Sequence, residues 1–328
     1  MATVKQAELR NEAVERFRRD LDALVKVDAP VGLAVSGGPD SLALLLLAAE
    51  ARPLLVEAAT VDHGLRPEGR EEAETVAKLC ERLGVPHTIL TVQWDEPPQS
   101  GIQERARLMR YQLLGKWTRD RGIGALLTGH HLDDQAETFL MRLVRGAGVR
   151  GLAGMRPVSR APRSSTAVVH PLLGWRHSEL EKVCADAGVV PVQDPSNDDE
   201  RFERVRIRKA LAATDWLDPV ALAASAGHLA EADGGLQWAT TMEWKRGVTA
   251  DAAQIIYRPS DAPREIRRRI VRRAILALAS EGGGADLRGR EIDQVLFALR
   301  TGRTVTLRGV LCAGGTEWRF TRAPARKV

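Results

Sequence analysis

The chain has 328 residues, of which 44% are apolar and 28% charged, and its formal net charge is +5. This composition excludes disordered and membrane-embedded chains, and no apolar run approaches the roughly 20 residues that a membrane-spanning helix needs. The first residues carry charges where a secretory signal peptide has an apolar stretch. Widely spaced cysteines exclude a disulfide scaffold; they are Cys80, Cys184 and Cys312. We therefore expect a cytoplasmic protein without a membrane partner.

The positive charge is concentrated at the end of the chain. Residues 258–328 contain 16 Lys and Arg against 7 Asp and Glu, whereas the residues before them sum to a charge of −4. A basic surface of this kind is typical of proteins that bind a polyanion such as RNA. The alternative is a basic face that only contacts solvent.

Four short apolar runs alternate with helical patterns in the first part of the chain. The runs lie at residues 31–35, 54–61, 87–92 and 125–128. Buried strands joined by helical crossovers form parallel sheets that are covered on both faces. The sequence therefore predicts an α/β fold with an open, mainly parallel sheet and helices on both sides.

A second, smaller domain is predicted after a loop signal at residues 194–199, DPSNDD, because these residue types favour turns. We place the boundary so that the first domain spans 1–200 and the second 201–328. Helical patterns follow at 201–213, 219–241 and 264–280. Two alternating runs around Gly314 and Gly315 predict a terminal β-hairpin. The second domain is thus expected to be mainly helical.

A phosphate-binding loop is the strongest single signal. It follows the first strand, precedes a helical run, and consists of Ser36, Gly37, Gly38, Pro39, Asp40 and Ser41. Glycines allow a tight turn with exposed N–H groups, and the next helix points its positive end at the same place. Asp40 is a candidate magnesium ligand. A capped tight turn would explain the glycines but not all six residues. The loop lacks the GK[ST] of a Walker motif.

Polar residues follow the second and fourth strands, where ligands of open α/β sheets bind. Asp62 and His63 follow the second strand and are expected to contact the adenine or ribose of a nucleotide, unless Asp62 only caps a turn. Gly129 and His130 follow the fourth strand, and we assign them to the same nucleotide site. The next arginine after His63, Arg66, is expected to face a phosphate.

A helix is predicted to begin near Leu132, which brings carboxylates into its first turns: Asp133, Asp134 and Glu137. Acidic residues there can simply complement the helix dipole. Three of them beside two histidines exceed what capping requires. We predict that they ligate Mg²⁺, Asp133 together with Asp40, or receive the ammonium group of an amino acid, and that they are catalytic.

Two groups of arginines are candidates for binding RNA phosphates. Arg107 and Arg110 lie one turn apart on a predicted helix, and a second helix carries Arg201, Arg204, Arg206 and Arg208. From spacing alone, a solvent-exposed helix face explains these charges equally well.

The motifs together resemble a known family. SGGPDS at residues 36–41 resembles the signature of the PP-loop ATP pyrophosphatases, which cleave ATP to AMP and pyrophosphate. GHHLDDQAETFLMRLVRGAGVRGLAGM at 129–155 resembles the second signature of the tRNA(Ile)-lysidine synthetases. Further similar segments are VDHGLR, ERARLMRYQLL, HPLLGWRHSEL and DPSNDDERFERVRIRKAL, and the resemblance covers residues 30–211.

The resemblance implies an ATP-dependent ligase that uses ATP and Mg²⁺. Its substrates are expected to be free L-lysine and tRNA(Ile) with a CAU anticodon. ATP would adenylate the C2 oxygen of the wobble cytidine, and the lysine side-chain amine would displace AMP to form lysidine. The arginine-rich segment is expected to contact the tRNA backbone. Two positions depart from the family segments, Val205 where asparagine is expected and His170 where arginine is expected. The sequence leaves the oligomeric state open.

Three other functions were weighed. A tRNA thiolase of the same superfamily would use paired cysteines, and the spacing of the three cysteines argues against it. An amidotransferase-type ligase would have a nucleophilic cysteine and a glutaminase domain before the phosphate loop. A catalytically inactive RNA-binding module would not need the intact SGGPDS and HHLDDQAET segments.

Overall fold

The computed structural model describes residues 2–65, 68–94, 100–162, 164, 166–192, 199–279 and 287–324, with side chains from residue 11 onward. The chain divides into two compact units, Met1–Ala230 and Glu231–Val328. Among the described helices, none has the length and apolar character needed to cross a membrane.

The first unit contains a six-stranded sheet with the order β3-β2-β1-β4-β6-β5. Its strands are β1 (Val31–Ala34), β2 (Val56–Asp62), β3 (His87–Thr91), β4 (Ala125–Leu127), β5 (Val158–Arg160) and β6 (Ala167–Val169). All neighbours run parallel except β5 and β6. The four predicted strands are confirmed within two residues, and β5 and β6 add to them. Because β1, β2, β4 and β6 are parallel, their carboxyl ends lie at one edge.

Helices cover both faces of this sheet, as predicted. They are α1 (Ala2–Asp22), α2 (Pro39–Ala51), α3 (Glu68–Leu83), α4 (Ile102–Asp120), α5 (Leu132–Val144), α6 (Val149–Leu152), α7 (His177–Asp186) and α8 (Glu203–Ala212). Consecutive residues of a strand point to opposite faces of the sheet and pack into different hydrophobic cores. Leu127 packs with Phe17 of α1 and the leucines of α2, whereas Leu126 packs with Tyr111 and Trp117 of α4. This alternation follows from the two-residue period of a strand.

Helix α2 is apolar around most of its circumference, with the sequence PDSLALLLLAAEA. It packs between the sheet and helices α1 and α7. A helix that is apolar on all sides has to be buried on all sides. This burial fixes the first turn of α2, which carries Asp40.

The long helix α9 (Pro219–Gly247) contains the division between the units. The second unit continues with β7 (Val248–Ala250), β8 (Gln254–Tyr257), α10 (Arg264–Leu278), α11 (Gly289–Arg300), β9 (Thr304–Leu307), β10 (Val310–Ala313) and β11 (Trp318–Arg322). Its antiparallel sheet has the order β7-β8-β11-β10-β9 and packs against α10 and α11. The predicted terminal hairpin is confirmed as β10 and β11, and it forms part of this larger sheet.

The compact units separate after Ala230, later than the boundary that the sequence suggests at residue 200. The reason is the position of the basic helix α8, which packs against α5 and so belongs to the first unit. The predicted loop at 194–198 lies outside the described residues.

Candidate active site

The phosphate-binding loop lies between β1 and α2, at the carboxyl edge of the sheet. Gly37 has φ +91°, a conformation that favours glycine, and Pro39 occupies the first turn of α2. Ser41 closes the loop, since its hydroxyl accepts a bond from the Ser36 N–H at 3.1 Å and donates to the Gly38 carbonyl at 3.0 Å. These bonds fix the loop at the N-terminus of α2, where the positive end of the helix dipole lies.

Gly129, at the end of β4, packs closely against the backbone of this loop. A β-carbon at Gly129 would lie 2.8 Å from the carbonyl oxygen of Asp40 and 3.0 Å from the backbone nitrogen of Ser41. Such contacts with backbone atoms cannot be relieved by a side-chain rotation. Gly129 is therefore required for the position of the loop.

Replacing Gly129 by alanine is expected to weaken ATP binding roughly tenfold or more, because the first turn of α2 has to move. Calorimetric titration with a non-hydrolysable ATP analogue measures this change. Gly124→Ala, at the other end of β4, is the matched control, since a β-carbon there meets no atom within 4 Å. Equal affinities of the two variants would contradict the proposed role of Gly129.

Asp62 and His63 follow β2 beside the loop. Asp62 is buried, and its carboxylate accepts the Gly64 N–H at 2.9 Å, so it does stabilise a turn. The His63 carbonyl accepts the indole N–H of Trp94 at 2.7 Å. Burial and the nearby Arg110 lower the pKa of the His63 ring, which is therefore neutral at pH 7. Arg66 lies outside the described residues.

His131, the residue before α5, is buried among three carboxylates. Its Nε2 lies 3.5 Å from Asp40 Oδ2 and 3.6 Å from Asp134 Oδ2, and its Nδ1 lies 3.6 Å from Asp133 Oδ2. Burial alone would lower its pKa, but Asp133 and Asp40 outweigh burial and raise the pKa of His131 to about 10. The ring is thus an imidazolium that neutralises part of the acidic cluster.

Two residues that the sequence analysis did not assign complete this cluster. Arg176 and His177 begin α7, which follows β6. The guanidinium of Arg176 donates to Asp133 Oδ1 at 3.0 and 2.9 Å, and the His177 N–H donates to Asp133 Oδ2 at 2.7 Å. The His177 ring lies 2.8 Å from Asp40 Oδ1, and this bond raises the pKa of His177. Asp133 is therefore fully engaged by α7.

Hydrogen bonds also change the acidity of the carboxylates themselves. Burial would raise the pKa of Asp40, but bonds from His131 and His177 hold it well below its usual range. The pKa of Asp133 is low as well, because His131, His177 and Arg176 outweigh its burial. Both side chains are ionised at pH 7. Asp134 also accepts the backbone N–H of His131 at 3.2 Å, so it caps α5.

Glu137 lies deeper along α5 and is almost completely buried, with a side chain 2% exposed. Arg208 of α8 donates to its Oε1 at 2.7 Å, and Arg204 Nε lies 3.1 Å from its Oε2. Arg204 also reaches Thr138 at 3.1 Å and lies 3.8 Å from Asp134. Two of the four arginines of the predicted RNA-binding segment, Arg204 and Arg208, are thus attached to the predicted catalytic residue Glu137.

A pair of neutral histidines, His130 and His170, lies after the ends of β4 and β6. The Thr128 hydroxyl contacts His130 Nδ1 at 2.8 Å and His170 Nδ1 at 2.7 Å. The pKa of His130 is lowered to about 4 and that of His170 to about 3, in both cases mainly by burial. Both rings are therefore uncharged at pH 7.

His170 is expected to cause part of the acid denaturation of the protein. Its pKa is 6.5 for an exposed ring but about 3 in the folded chain, so between these values the unfolded chain binds a proton that the folded chain does not. The contribution of His170 to the free energy of unfolding is fully present above pH 6.5 and is lost as the pH falls toward 3. His170→Phe should reduce this loss by on the order of 2 kcal/mol at pH 4, measured by urea unfolding. Equal pH slopes would contradict this expectation.

The remaining arginines that were predicted to bind RNA differ in whether they line the site or are exposed outside it. Arg110 lies half-buried at the wall of the site, and burial lowers the pKa of its guanidinium, whereas Arg107 is exposed over the Tyr111 ring. Arg201 is exposed and pairs with Asp199 at 2.6 Å. Arg206 is exposed and donates to the carbonyls of Glu200 and Arg201. Only Arg110 and Arg204 of these arginines line the cavity.

A single cavity of about 890 Å³ connects the phosphate loop with the ends of β2 and β4. Of the predicted site residues, its wall includes Ser36, Gly38, Asp40, Ser41, Asp62, His63, Gly129, His130, Asp134, Arg110 and Arg204. Its volume falls in the range of ligand pockets, and residues of the phosphate loop and the carboxylates of Asp40 and Asp134 all line it. Asp133 and Glu137 lie behind this wall, engaged by Arg176 and Arg208.

The donor atoms decide which carboxylates fit a magnesium ion. Asp40, His131 and His177 each place one potential ligand atom within 4.8 Å of the others. Two of these three donors are ring nitrogens, whereas Mg²⁺ prefers oxygen. The carboxylates that face the cavity are Asp40 and Asp134, and both lie within 3.6 Å of His131 Nε2. Of the predicted pair of Mg²⁺ ligands, Asp40 lines the cavity and Asp133 does not.

Comparisons with known proteins agree with this geometry. A family model described as the PP-loop domain matches residues 10–214. The tRNA(Ile)-lysidine synthase of Novosphingobium aromaticivorans is 48% identical over 318 residues, which cover 96% of this chain and 95% of the relative. That of Zymomonas mobilis is 42% identical over 299 residues, with 90% and 89% covered.

Among solved structures, the U34-tRNA thiolase NcsA of Methanococcus maripaludis superposes with a TM-score of 0.56. It is 19% identical, and the match covers 67% of this chain and 77% of that chain, so it shows the shared fold. The relatives at 48% and 42% identity match almost the whole chain. The chain is therefore a PP-loop protein and belongs to the tRNA(Ile)-lysidine synthase family.

Proposed function

We propose that this protein ligates free L-lysine to C2 of the wobble cytidine of tRNA(Ile) with a CAU anticodon. ATP is consumed, an adenylated base is the intermediate, and AMP and pyrophosphate are released. The supporting observation is the shared cavity, which is lined both by the phosphate loop and by Asp134 from the first turn of α5. The similarity to curated tRNA(Ile)-lysidine synthases over 96% of the chain supports the substrates.

The triphosphate of ATP would lie on the loop of residues 36–41. Backbone N–H groups around Gly37 and Gly38 supply neutral donors, and the N-terminus of α2 adds a favourable dipole. The hydroxyls of Ser36 and Ser41 bond to each other and hold the shape of the loop. Mg²⁺ would be held by Asp40 and Asp134. When bound, it offsets the negative charge that develops on pyrophosphate. Asp62 and His63, which line the same cavity, would contact the nucleoside.

The acceptor amine of lysine is a cation before it reacts. Asp40 and Asp134 make the cavity wall negatively charged, and this charge attracts the ammonium group as it attracts Mg²⁺. Glu137 holds Arg204 and Arg208, so its role is to position α8 beside the site. Attack on C2 requires the amine to lose a proton, which an adjacent carboxylate or histidine accepts. Displacement of AMP then completes the carbon–nitrogen bond.

The target base enters a site that is bordered by arginines. Arg110 and Arg204 line the cavity, whereas Arg107, Arg201 and Arg206 are exposed. We assign the first two to phosphates near the reacting base and the exposed three to the tRNA backbone. Contacts of this kind position RNA, while an unpaired anticodon base is inserted into a pocket and identified by its edge.

A thiolase reaction is the closest competing function, and the state of the cysteines argues against it. Cys80, Cys184 and Cys312 are free and buried. Burial raises the pKa of Cys80 to about 12 and that of Cys184 to about 11. A thiolate is the reactive form of cysteine. These thiols are therefore unsuited to carry sulfur. A cytoplasmic location is part of the proposal, because the ATP and tRNA substrates are found there.

The proposal is tested by incubating the protein with ATP, Mg²⁺, labelled lysine and unmodified tRNA(Ile) with a CAU anticodon. Label should enter the RNA together with AMP release, and tRNA with a UAU anticodon is the control. Incorporation of labelled sulfur in place of lysine would support the thiolase. Binding of tRNA without any AMP release would support an inactive RNA-binding module.

A further inference from the structure

Thr128 connects two histidines in a continuous hydrogen-bond chain at the wall of the ATP cavity. Its hydroxyl lies 2.8 Å from His130 Nδ1 and 2.7 Å from His170 Nδ1. The two rings meet edge to face, with centroids 4.9 Å apart. Thr128 and His170 are buried, and Thr128 and His130 both line the cavity. The central hydroxyl is thus within hydrogen-bond distance of both rings.

A hydroxyl has one proton, and this fixes how the chain can be arranged. The Thr128 hydroxyl donates to one Nδ1 and accepts an N–H from the other. Of two neutral rings, one carries its proton on Nδ1 and the other does not. The chain therefore has two directions, and each gives His130 a different tautomer. If His170 donates, His130 is left with its proton on Nε2; if His130 donates, its Nε2 is a bare acceptor.

The ligand in the cavity favours one of the two directions of the hydrogen-bond chain, because it needs either a donor or an acceptor at His130. Nδ1 of His130 is already bonded to Thr128, so Nε2 is the ring nitrogen that remains for a ligand. The proposed ligand is ATP, whose phosphates only accept hydrogen bonds. A bare Nε2 would place a lone pair against an anionic oxygen, whereas an Nε2–H donates to it.

The charges around the ring keep it neutral in this role. Burial disfavours the imidazolium, and so do Arg110, Arg107 and Arg204; Asp134 acts in the opposite direction. The pKa of His130 is about 4, so the ring does not gain a proton near pH 7. Its tautomer, not its charge, then decides what it presents to ATP.

We infer that His170 is a positioning residue that acts through Thr128 to hold His130 in the Nε2–H tautomer, which directs one neutral donor at the ATP phosphates. This inference rests on the proposed function, because it takes ATP as the ligand. His170 itself need not touch the substrate. It sets the direction of the chain, and His130 makes the contact.

The test reads the tautomer directly. Protein labelled with ¹⁵N at histidine is examined by long-range ¹H–¹⁵N spectra at pH 7, with and without a non-hydrolysable ATP analogue. The signals of His130 are assigned by their loss in His130→Gln. We expect His130 as a neutral ring with its proton on Nε2, and we expect the ATP analogue to shift this signal.

Paired variants separate this role from a general structural one. His170→Phe keeps a ring of similar size but removes the donor, so it should give mixed tautomers and raise KM for ATP about tenfold with little change in kcat. His170→Arg can only donate and should restore the Nε2–H tautomer. Thr128→Val should behave like His170→Phe, and Thr128→Ser should give the wild-type spectrum. These two Thr128 variants keep the test decisive if a His170 variant does not fold.

A proton on Nδ1 of His130 in wild-type protein would overturn the inference, as would an unchanged tautomer in both His170→Phe and Thr128→Val. In either case, binding of the ATP analogue would leave the proposed function intact. Failure of the wild-type protein to bind the analogue would overturn both together.

Discussion

Replacing Asp40 by asparagine is expected to reduce the rate of AMP formation by roughly a thousandfold, while tRNA affinity stays within about twofold. The carboxylate bonds His177 at 2.8 Å and lies 3.5 Å from His131, and it faces the cavity beside the phosphate loop. Asparagine keeps the shape but loses the charge that balances these rings and that would hold Mg²⁺. Steady-state AMP release and a filter-binding titration with tRNA measure the two quantities.

The matched control for this variant is Asp120→Asn on α4. Asp120 is an exposed partner of Lys116 at 3.2 Å, so the change has the same chemistry at a distance from the cavity. Its AMP formation should match that of the wild-type protein. If Asp40→Asn lost tRNA affinity as much as activity, Asp40 would have a structural role and the assignment would be wrong.

Replacing Glu137 by glutamine is expected to lower the free energy of unfolding by about 2 kcal/mol, because two arginines lose their shared anion. The full effect of breaking a buried ion pair is larger, but the side chains of Arg204 and Arg208 are 40% and 49% exposed, and water compensates them in part. Without this anchor α8 is expected to separate from α5, and KM for tRNA should rise.

Urea unfolding and tRNA kinetics of Glu137→Gln, Arg208→Gln and the double variant form the corresponding experiment. A coupling energy between the two sites would show that they act as a pair. The control is the exposed pair of Lys209 on the same helix and Glu200, which precedes that helix, 2.6 Å apart. Glu200→Gln should leave the unfolding midpoint unchanged. Additive effects of Glu137→Gln and Arg208→Gln would contradict the anchoring role.

The sequence predicted the central strands and the loop because both have strong local signals. β1, β2, β3 and β4 are continuous apolar runs, and their bounds in the structure differ from the predicted ones by two residues or fewer. The loop combines glycine, proline and serine at fixed positions, each with a local conformational reason. The helix predicted to begin near Leu132 begins there, with its carboxylates in the first turns.

Arg176 and His177 escaped prediction because the strand before them is short. β6 (Ala167–Val169) has three residues and gives no clear alternation. Its parallel pairing with β4 nevertheless brings the residues after it to the same edge as the loop. The signal that was available is the segment HPLLGWRHSEL, in which a histidine and an arginine precede a helix. Recognising β6 would have placed them beside Asp40.

Long-range ion pairs could not be read from the sequence at all. Glu137 and Arg208 are 71 positions apart, and spacing gives no reason to pair them. The sequence treated the acids as catalytic and the arginines as RNA-binding, whereas the structure joins Glu137 to both Arg204 and Arg208. Similarly, β7 and β8 follow a long helix and are three and four residues long, so only the later hairpin was predicted.

The identity of the nucleoside at the wobble position tests the central claim most directly. Unmodified tRNA(Ile) with a CAU anticodon is incubated with the protein, ATP, Mg²⁺ and lysine, digested to nucleosides and analysed by mass spectrometry. We predict that the wobble cytidine is converted to a nucleoside that contains lysine, with one AMP released for each conversion. Unchanged cytidine in a protein that binds both ATP and this tRNA would contradict the account.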